Sequence, residues 1–187
     1  MNLRKKLFFI LIPVPFIIIL FFYYLHLKYT TNIPQLDDYD AVIYFLSSFI
    51  NADSVSSKIQ WIFSQHREHR YAFPRIFILS LYYITGKINF LHILFAGHIA
   101  LTGIYLVILK SVKFSGVLKE NLNKLLLLFF ITALFFQIQY SEGSAWAISA
   151  FFTYFGMFFS FISLYLIHSK TKYNIAFAIM FAVLAAA

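Results

Sequence analysis

Uncharged apolar runs alternate with short polar breaks along most of the chain. The first run follows the basic start MNLRKK and extends over about 7–27 without a charge. A helix rises about 1.5 Å per residue, so roughly 20 residues cross the hydrocarbon core of a bilayer. Similar runs at about 88–109, 122–140 and 145–167 predict further membrane spans, and 173–187 begins one that is incomplete. The pattern predicts an all-α, polytopic membrane protein with a single membrane domain, and it indicates a truncated chain.

The first apolar run has one competing interpretation, a cleaved signal peptide. The run is longer than a typical signal-peptide core, and no small-x-small cleavage site follows it, so a membrane helix is favoured. Pro13 and Pro15 are expected to kink that helix or to shift its start.

Residues 28–87 form the longest polar stretch, in which three short interfacial helices are expected. The first, near 40–52, has an amphipathic pattern with apolar residues at Val42, Phe45, Leu46, Phe49 and Ile50. The second, near 57–66, is expected to begin at a capping Ser56 or Ser57. The third, near 74–85, contains only ten consecutive apolar residues, about 15 Å of helix, before Gly86. It is therefore predicted to be re-entrant or interfacial.

The positions of the 15 Lys and Arg residues distinguish two topologies. If 76–85 does not cross, nine of them lie on the N-terminal side and six lie opposite. The nine are Arg4, Lys5, Lys6, Lys110, Lys113, Lys119, Lys124, Lys170 and Lys172. If 76–85 does cross, only four remain on the N-terminal side. Because cytoplasmic loops carry the excess of basic residues, the first topology is favoured. We expect a cytoplasmic N-terminus and an outer loop 28–87 in a bacterial inner membrane.

Composition agrees with this class and excludes others. The chain is 61% hydrophobic and only 12% charged, and its mean hydropathy is +0.79, whereas soluble domains are about a quarter charged. There is no cysteine, which excludes disulfides and thiolate chemistry. The net charge of +8 follows the membrane topology, so we expect contacts with membrane lipids and no binding to nucleic acid.

Five of the seven acidic residues lie in the outer loop, and three of them form the motif Asp37-Asp38-Tyr39-Asp40. Carboxylates at the outer end of a membrane helix are suited to act as a general base, to bind a divalent cation or to accept hydrogen bonds from sugar hydroxyls. The alternative is structural, with Asp38 or Asp40 capping the N-terminus of the amphipathic helix.

A dense polar cluster follows later in the same loop. It comprises His66, Arg67, Glu68, His69 and Arg70, with Arg75 beyond it. On a helix, residues three or four apart share a face, so two cations could hold a phosphate beside the membrane. A zinc site is disfavoured, because the His66 and His69 spacing matches no known zinc motif. The alternative is an interfacial cluster that contacts lipid headgroups.

Three further residues are weaker candidates. Glu142 is the only acid of the second outer turn, QYSEGSAW, and that turn faces the same side as the first loop. His92 and His98 lie in one predicted span, where an ionisable residue has either a functional role or an interhelical hydrogen bond. No nucleotide-binding or nucleophile-elbow motif is present.

This layout resembles the GT-C glycosyltransferases, in the branch of the protein O-mannosyltransferases and aminoarabinose transferases. The resemblance rests on Asp37-Asp38 after the first helix and on HRYAFPRIFILSLYYITGKINF before the second. The segment QHREHRYAFPR is similar to an Asn-Glu-His-Arg segment of a bacterial group with this layout. A later outer turn of that group carries a Gln-x-Glu-Asn-Trp motif, of which QYSEGSAW keeps only the glutamate and, displaced, the tryptophan. Arg67 and Gly143 depart from the pattern, because each stands where Asn is expected.

The resemblance implies that a polyprenyl-phosphate sugar is the donor. It implies that Asp37 or Asp38 is the base on the acceptor hydroxyl, with or without a divalent cation. The residues it implies for substrate binding are Asp40, His66, Glu68, His69, Arg70, Arg75 and Glu142. The sequence leaves the sugar, the acceptor and the oligomeric state open.

Two function classes follow from these observations. The first is a membrane glycosyltransferase, or its N-terminal part, that acts on the outer face in cell-envelope synthesis. The second is a non-catalytic scaffold or lipid-binding subunit of the same process, which the apparent truncation favours. A transporter is disfavoured because the acids lie in a loop and not within the spans.

Overall fold

The computed structural model describes residues 9–66, 69–115, 121–168 and 172–186. Nearly all of this backbone is helical, which confirms the predicted all-α class. In chain order the elements are α1 (Val14–Tyr29), α2 (Tyr39–Ile50), α3 (Val55–Phe63), β1 (Gln65–His66), β2 (His69–Arg70), α4 (Ala72–Thr85), α5 (Phe90–Ser115), α6 (Asn121–Phe135), α7 (Ser141–Ala145), α8 (Ala147–His168) and α9 (Lys172–Ala185).

Among these residues, three helices are long and apolar enough to cross a membrane. They are Phe9–Tyr29, Phe90–Val112 and Ala147–His168, and each falls on a predicted span. The predicted span 122–140 is shorter in the structure, because α6 ends at Phe135 and a 3₁₀ turn, Ile138–Tyr140, follows. Its 15 residues cover about 22 Å, less than the thickness of a bilayer core.

Pro13 sets the start of α1. The helix begins at Val14, directly after this proline, whose carbonyl oxygen accepts the N–H of Ile17 at 3.0 Å. Pro15 lies in the first turn, where a backbone N–H has no helical acceptor and its loss costs little. Residues 9–11 are helical as well, so the turn at 12–13 interrupts the apolar helix directly before Val14, as expected for these prolines.

The long helices alternate in direction. A Cβ added to Gly97 of α5 would lie 2.7 Å from the carbonyl carbon of Ala150, and Gly103 faces Phe158, so α5 and α8 run parallel and in close contact. Helix α1 runs the opposite way, since His26 lies beside His98 and Tyr23 beside Thr102. Helix α9 runs antiparallel to α8, with Ser163 donating to the carbonyl of Ala178. Helices α5 and α8 thus run in one direction, and α1 and α9 run in the opposite direction.

The apolar side chains of the amphipathic helix in the loop form the main core of the loop region. Helix α2 begins as a π-helix, Tyr39–Tyr44, and continues as an α-helix, Phe45–Ile50. Four of its five predicted core positions are buried, whereas Ile50 is 43% exposed. These side chains pack against residues of α4, α5 and α8, including Ile78, Ile93 and Phe151. The loop is therefore docked on the starts of α5 and α8.

Helix α3 begins earlier than predicted. Its N-cap is Ser54, whose hydroxyl accepts the N–H of Ser57 at 3.1 Å, so the prediction of Ser56 or Ser57 as the cap was wrong. An N-cap must have extended backbone and must bond a donor two or three residues later, and Ser54 satisfies both conditions.

Helix α4 packs against only the first half of α8. Phe73 contacts Phe155 and Phe159, whereas Phe77 contacts Phe151, so the two helices are antiparallel. Gly86 ends α4 in the left-handed conformation, with φ of 71°. This arrangement holds the residues that precede α4 beside the N-terminal turns of α8.

Candidate functional site

The Asp37-Asp38-Tyr39-Asp40 motif divides its carboxylates between different environments. Asp38 is 1% exposed, Asp37 is half-buried, and Asp40 is exposed. The two oxygens of Asp38 accept the N–H groups of Gln35 at 3.0 Å and Ile148 at 2.9 Å. Asp38 is thus an internal carboxylate held by backbone N–H groups, whereas Asp40, two residues later, faces solvent.

Asp38 caps a helix other than the one it precedes. It occupies the N-cap position of α2 but makes no side-chain cap there, and instead bonds the second residue of α8. Helix N-termini carry unpaired N–H groups and a partial positive charge, so a carboxylate at this place is stabilised. The sequence-based alternative, in which Asp38 caps the amphipathic helix α2, is therefore wrong, because the Asp38 carboxylate bonds the first turn of α8 instead.

Burial dominates the electrostatics of Asp38. Loss of hydration raises the pKa of its carboxyl, the N–H groups of Gln35 and Ile148 lower it, and the charge of Asp37 raises it again. The indole of Trp146 adds a further lowering effect, which is weaker because its N–H lies outside good hydrogen-bonding geometry.

A cavity of about 260 Å³ lies between α2, the end of α3, β1 and the start of α4. Three predicted site residues that are distant in the sequence line it together: Asp40, His66 and Arg75. Its other lining residues include Tyr44 and Trp61, whose rings meet edge to face at 5.8 Å. The fold therefore brings a carboxylate, an imidazole and a guanidinium to one place beside two aromatic rings.

Arg75 has a second role within this cavity wall. The residue is 4% exposed, and its Nη1 donates to the carbonyls of Trp61 at 2.8 Å and Ser64, and to the hydroxyl of Ser64 at 2.8 Å. These acceptors lie at the C-terminus of α3, where carbonyls lack helical partners. Its guanidinium carbon is also 5.0 Å from the ring centre of Phe45. Burial lowers the pKa of Arg75, which stays charged.

The remaining predicted residues are less closely placed. His69 and Arg70 are exposed on β2, which pairs with β1, and the His69 ring lies 5.1 Å from that of Phe152 in α8. Glu68 lies outside the described residues, as does Arg67. Glu142 belongs to α7, and its side chain is likewise outside what the structure describes.

No residue set in the described ranges fits a metal ion. Within 9–66, 69–115, 121–168 and 172–186, no three His, Asp or Glu side chains come together as ligands. The described carboxylates also face different ways, since Asp38 is engaged by backbone N–H groups.

Comparison with known proteins was made at the levels of family, sequence and structure. No family model, curated protein or solved structure matches this chain.

A second polar cluster, inside the helix bundle, was largely missed from the sequence. It consists of His26, His98, Ser144 and Tyr154, contributed by α1, α5, α7 and α8. His98 was a candidate because it lies within a span. His26 is the same kind of signal, a histidine near the end of the first apolar run, whereas Ser144 and Tyr154 carry no distinguishing pattern.

Proposed function

We propose that this chain is a membrane glycosyltransferase of the GT-C type, or the N-terminal part of one. It would transfer a sugar from a polyprenyl-phosphate donor to an acceptor hydroxyl of the cell envelope, on the outer face of the membrane. The observation that carries the proposal is the loop cavity, in which Asp40, His66 and Arg75 converge beside Tyr44 and Trp61.

The chemistry of the cavity suits a sugar. A carboxylate within hydrogen-bond reach of a hydroxyl can take its proton as the hydroxyl attacks. An imidazole and a guanidinium supply donors for the remaining oxygens, and aromatic walls with a few polar groups are typical of small-ligand sites. The cavity volume of about 260 Å³ leaves room for a single sugar ring rather than for an oligosaccharide.

Among the acids, the geometry favours Asp40 as the base. Asp38 is buried and its oxygens are held by two backbone N–H groups, so we assign it a positioning role at the start of α8. Asp40 is exposed and lines the cavity. Asp37, half-buried beside them, stays the alternative base implied by the family resemblance.

The alternating helix directions support the outer location. With the N-terminus in the cytoplasm, α1 ends on the outer side, and α5 and α8 both begin there. The loop that joins α1 to α5, and the cavity within it, then face outward. This is the topology that the distribution of Lys and Arg favours.

The test is an Asp40→Asn variant, assayed for envelope glycan modification in cells that express the chain. We expect modification to fall by about 10²-fold or more, the usual contribution of a general base. Asp53→Asn is the matched control, because Asp53 is an exposed acid of the same loop that does not line the cavity. Full modification by Asp40→Asn, at equal expression, would remove the base assignment.

A non-catalytic scaffold is the second candidate, and one observation favours it. Asp38 and Arg75, the buried charged side chains among the described loop residues, both cap helix ends. A scaffold would tolerate Asp40→Asn and lose function only with variants that unfold the loop, such as Arg75→Met. An enzyme would lose modification with Asp40→Asn while keeping its fold and its membrane level.

A further inference from the structure

A serine–histidine pair joins α1 to the turn before α8. The Nε2 of His26 is 2.9 Å from the hydroxyl oxygen of Ser144, and its Nδ1 is 2.9 Å from the carbonyl oxygen of Phe22. A carbonyl only accepts, so the neutral ring carries its proton on Nδ1 and a lone pair on Nε2. Ser144 therefore donates its hydroxyl proton to His26. This is the arrangement of a nucleophile with its general base, in which Phe22 orients the base.

Two more side chains hold Ser144 in place. The hydroxyl of Tyr154 lies beside the side chain of Ser144, close enough to interact with it. The Nε2 of His98 lies 2.7 Å from the Ser144 carbonyl and donates to it. A phenol that already points at the nucleophile is well placed to stabilise negative charge that develops next to it.

Apolar cavities border the two chain neighbours of this serine. One, of about 370 Å³, is bordered by Gly143 and Tyr154 together with Leu101, Leu134 and Met157. The other, of about 290 Å³, is bordered by Ala145 and His26 together with Leu25, Tyr29 and Ile138. The neighbours of Ser144 in the chain, Gly143 and Ala145, thus each face a space that suits a hydrocarbon chain.

We propose that Ser144 is a nucleophile that takes an acyl group from an ester lipid, with His26 as its base and Tyr154 as the donor to the oxyanion. The assignment does not depend on the proposed glycosyl transfer. Ser144 is 1% exposed, so the substrate enters through the apolar cavities and not from water.

The reaction balances without any redox partner. The Ser144 oxygen bonds to the carbonyl carbon as its proton passes to His26 Nε2, and the ester C–O bond then breaks. The leaving alcohol takes that proton from His26, which leaves acyl-Ser144. Water or an acceptor hydroxyl attacks next, its proton travels by the same nitrogen back to Ser144, and the acyl product departs.

The first experiment uses an alkyl fluorophosphonate, which phosphonylates an activated serine with loss of fluoride. The full chain in native membranes is treated with the probe, and the modified peptide is identified by mass spectrometry. We expect label on Ser144, none in Ser144→Ala, and labelling about 100-fold slower in His26→Phe. Ser160→Ala is the control and should label normally, because the Ser160 hydroxyl bonds only the carbonyl of Gly156 in its own helix.

A second variant keeps the proposal falsifiable if His26→Phe perturbs folding. The chain has no cysteine, so Ser144→Cys introduces a single thiol of nearly the same size. Its alkylation by iodoacetamide should reach half its maximal rate well below pH 8.5, the usual thiol value, and Ser160→Cys should not show this shift. If the wild type takes up no probe and the two thiols have the same pH profile, Ser144 is only an interhelical link and the proposal is overturned.

Discussion

The buried polar side chains of the loop between α1 and α5 are charged, whereas those of the surrounding helices, α1 and α5 to α8, are neutral. Asp38 and Arg75 are each nearly inaccessible to solvent in the loop. Among the described residues outside the loop, the buried polar side chains are His26, His98, Thr132, Ser144 and Ser163, and each takes part in a hydrogen bond. Both sets of side chains are buried, so burial alone does not explain the difference.

Helix ends explain it. Asp38 is placed at the N-terminus of α8 and Arg75 at the C-terminus of α3, so each charge meets a row of unpaired backbone groups of opposite polarity. Inside the bundle the backbone is already paired within long helices, and a buried charge there would lack such a partner. Buried charged side chains therefore lie at helix ends in this protein, whereas the buried polar side chains elsewhere are neutral and hydrogen-bonded.

Replacing Arg75 by Met should cause the largest loss of stability, about 3 kcal/mol. The variant keeps the apolar stem but leaves the carbonyls of Trp61 and Ser64 without their charged donor. Unfolding by SDS titration in mixed micelles, followed by tryptophan fluorescence, measures the change, since Trp61 lies at the affected helix end. Arg70→Met is the control, because Arg70 is exposed, and a loss equal to that of Arg75→Met would contradict the capping role.

Asp38→Asn should cost about 2 kcal/mol. An amide has one acceptor oxygen, so its NH₂ group would face either the Gln35 or the Ile148 N–H, and one buried donor would go unpaired. The same titration applies, and Trp146 reports on this site because its indole lies beside Asp38. Asp53→Asn, on the exposed surface of the loop, is the matched control. A variant as stable as the wild type would show that α8 does not depend on this cap.

The helices were predictable because their signals are local. Apolar run length located the three long helices, and the spacing from Val42 to Phe49 located the buried face of α2. Cap positions were harder, as Ser54 shows: three serines lie within four residues, and backbone geometry selects among them. Likewise α6 ends at Phe135, earlier than the apolar run predicts, and sequence spacing does not fix that end.

The residues of the candidate site could be predicted from the sequence, but which of them is structural and which faces the cavity could not. Asp40, His66 and Arg75 stand out as polar residues in an apolar chain, and the fold brings them to one cavity. That Asp38 points to Ile148, 110 positions later, follows from tertiary packing that no local pattern encodes. The Ser144–His26 pair is hidden for the same reason, because α1 and α7 are far apart in the chain.

Tyr23→Phe should cost about 1 kcal/mol, less than either change in the loop. The Tyr23 hydroxyl donates to the His98 carbonyl at 3.0 Å and lies 2.6 Å from the Thr102 hydroxyl. After its removal the Thr102 hydroxyl still bonds the His98 carbonyl at 3.1 Å, so no buried group is orphaned. Tyr83→Phe, at an exposed tyrosine, is the control in the same titration. If Tyr23→Phe lowers the free energy of unfolding by more than Asp38→Asn does, the neutral hydrogen bonds stabilise the fold more than the buried charges, contrary to this expectation.

The smallest expected effect is the pH dependence that Asp38 contributes. Because burial raises the pKa of its carboxyl, the folded chain holds this proton at pH values where the unfolded chain has released it. The protonated carboxyl therefore makes its full contribution to the free energy of unfolding below about pH 3.9, the ordinary pKa of an aspartate. That contribution is lost as pH rises through the pKa that Asp38 has in the folded chain. The measurement is the free energy of unfolding of the wild type minus that of Asp38→Asn, taken from pH 4 to 8. We expect this difference to fall as pH rises from the acid end. A difference that rises instead would mean that the N–H groups of Gln35 and Ile148 outweigh burial, and that the helix end holds Asp38 fully charged.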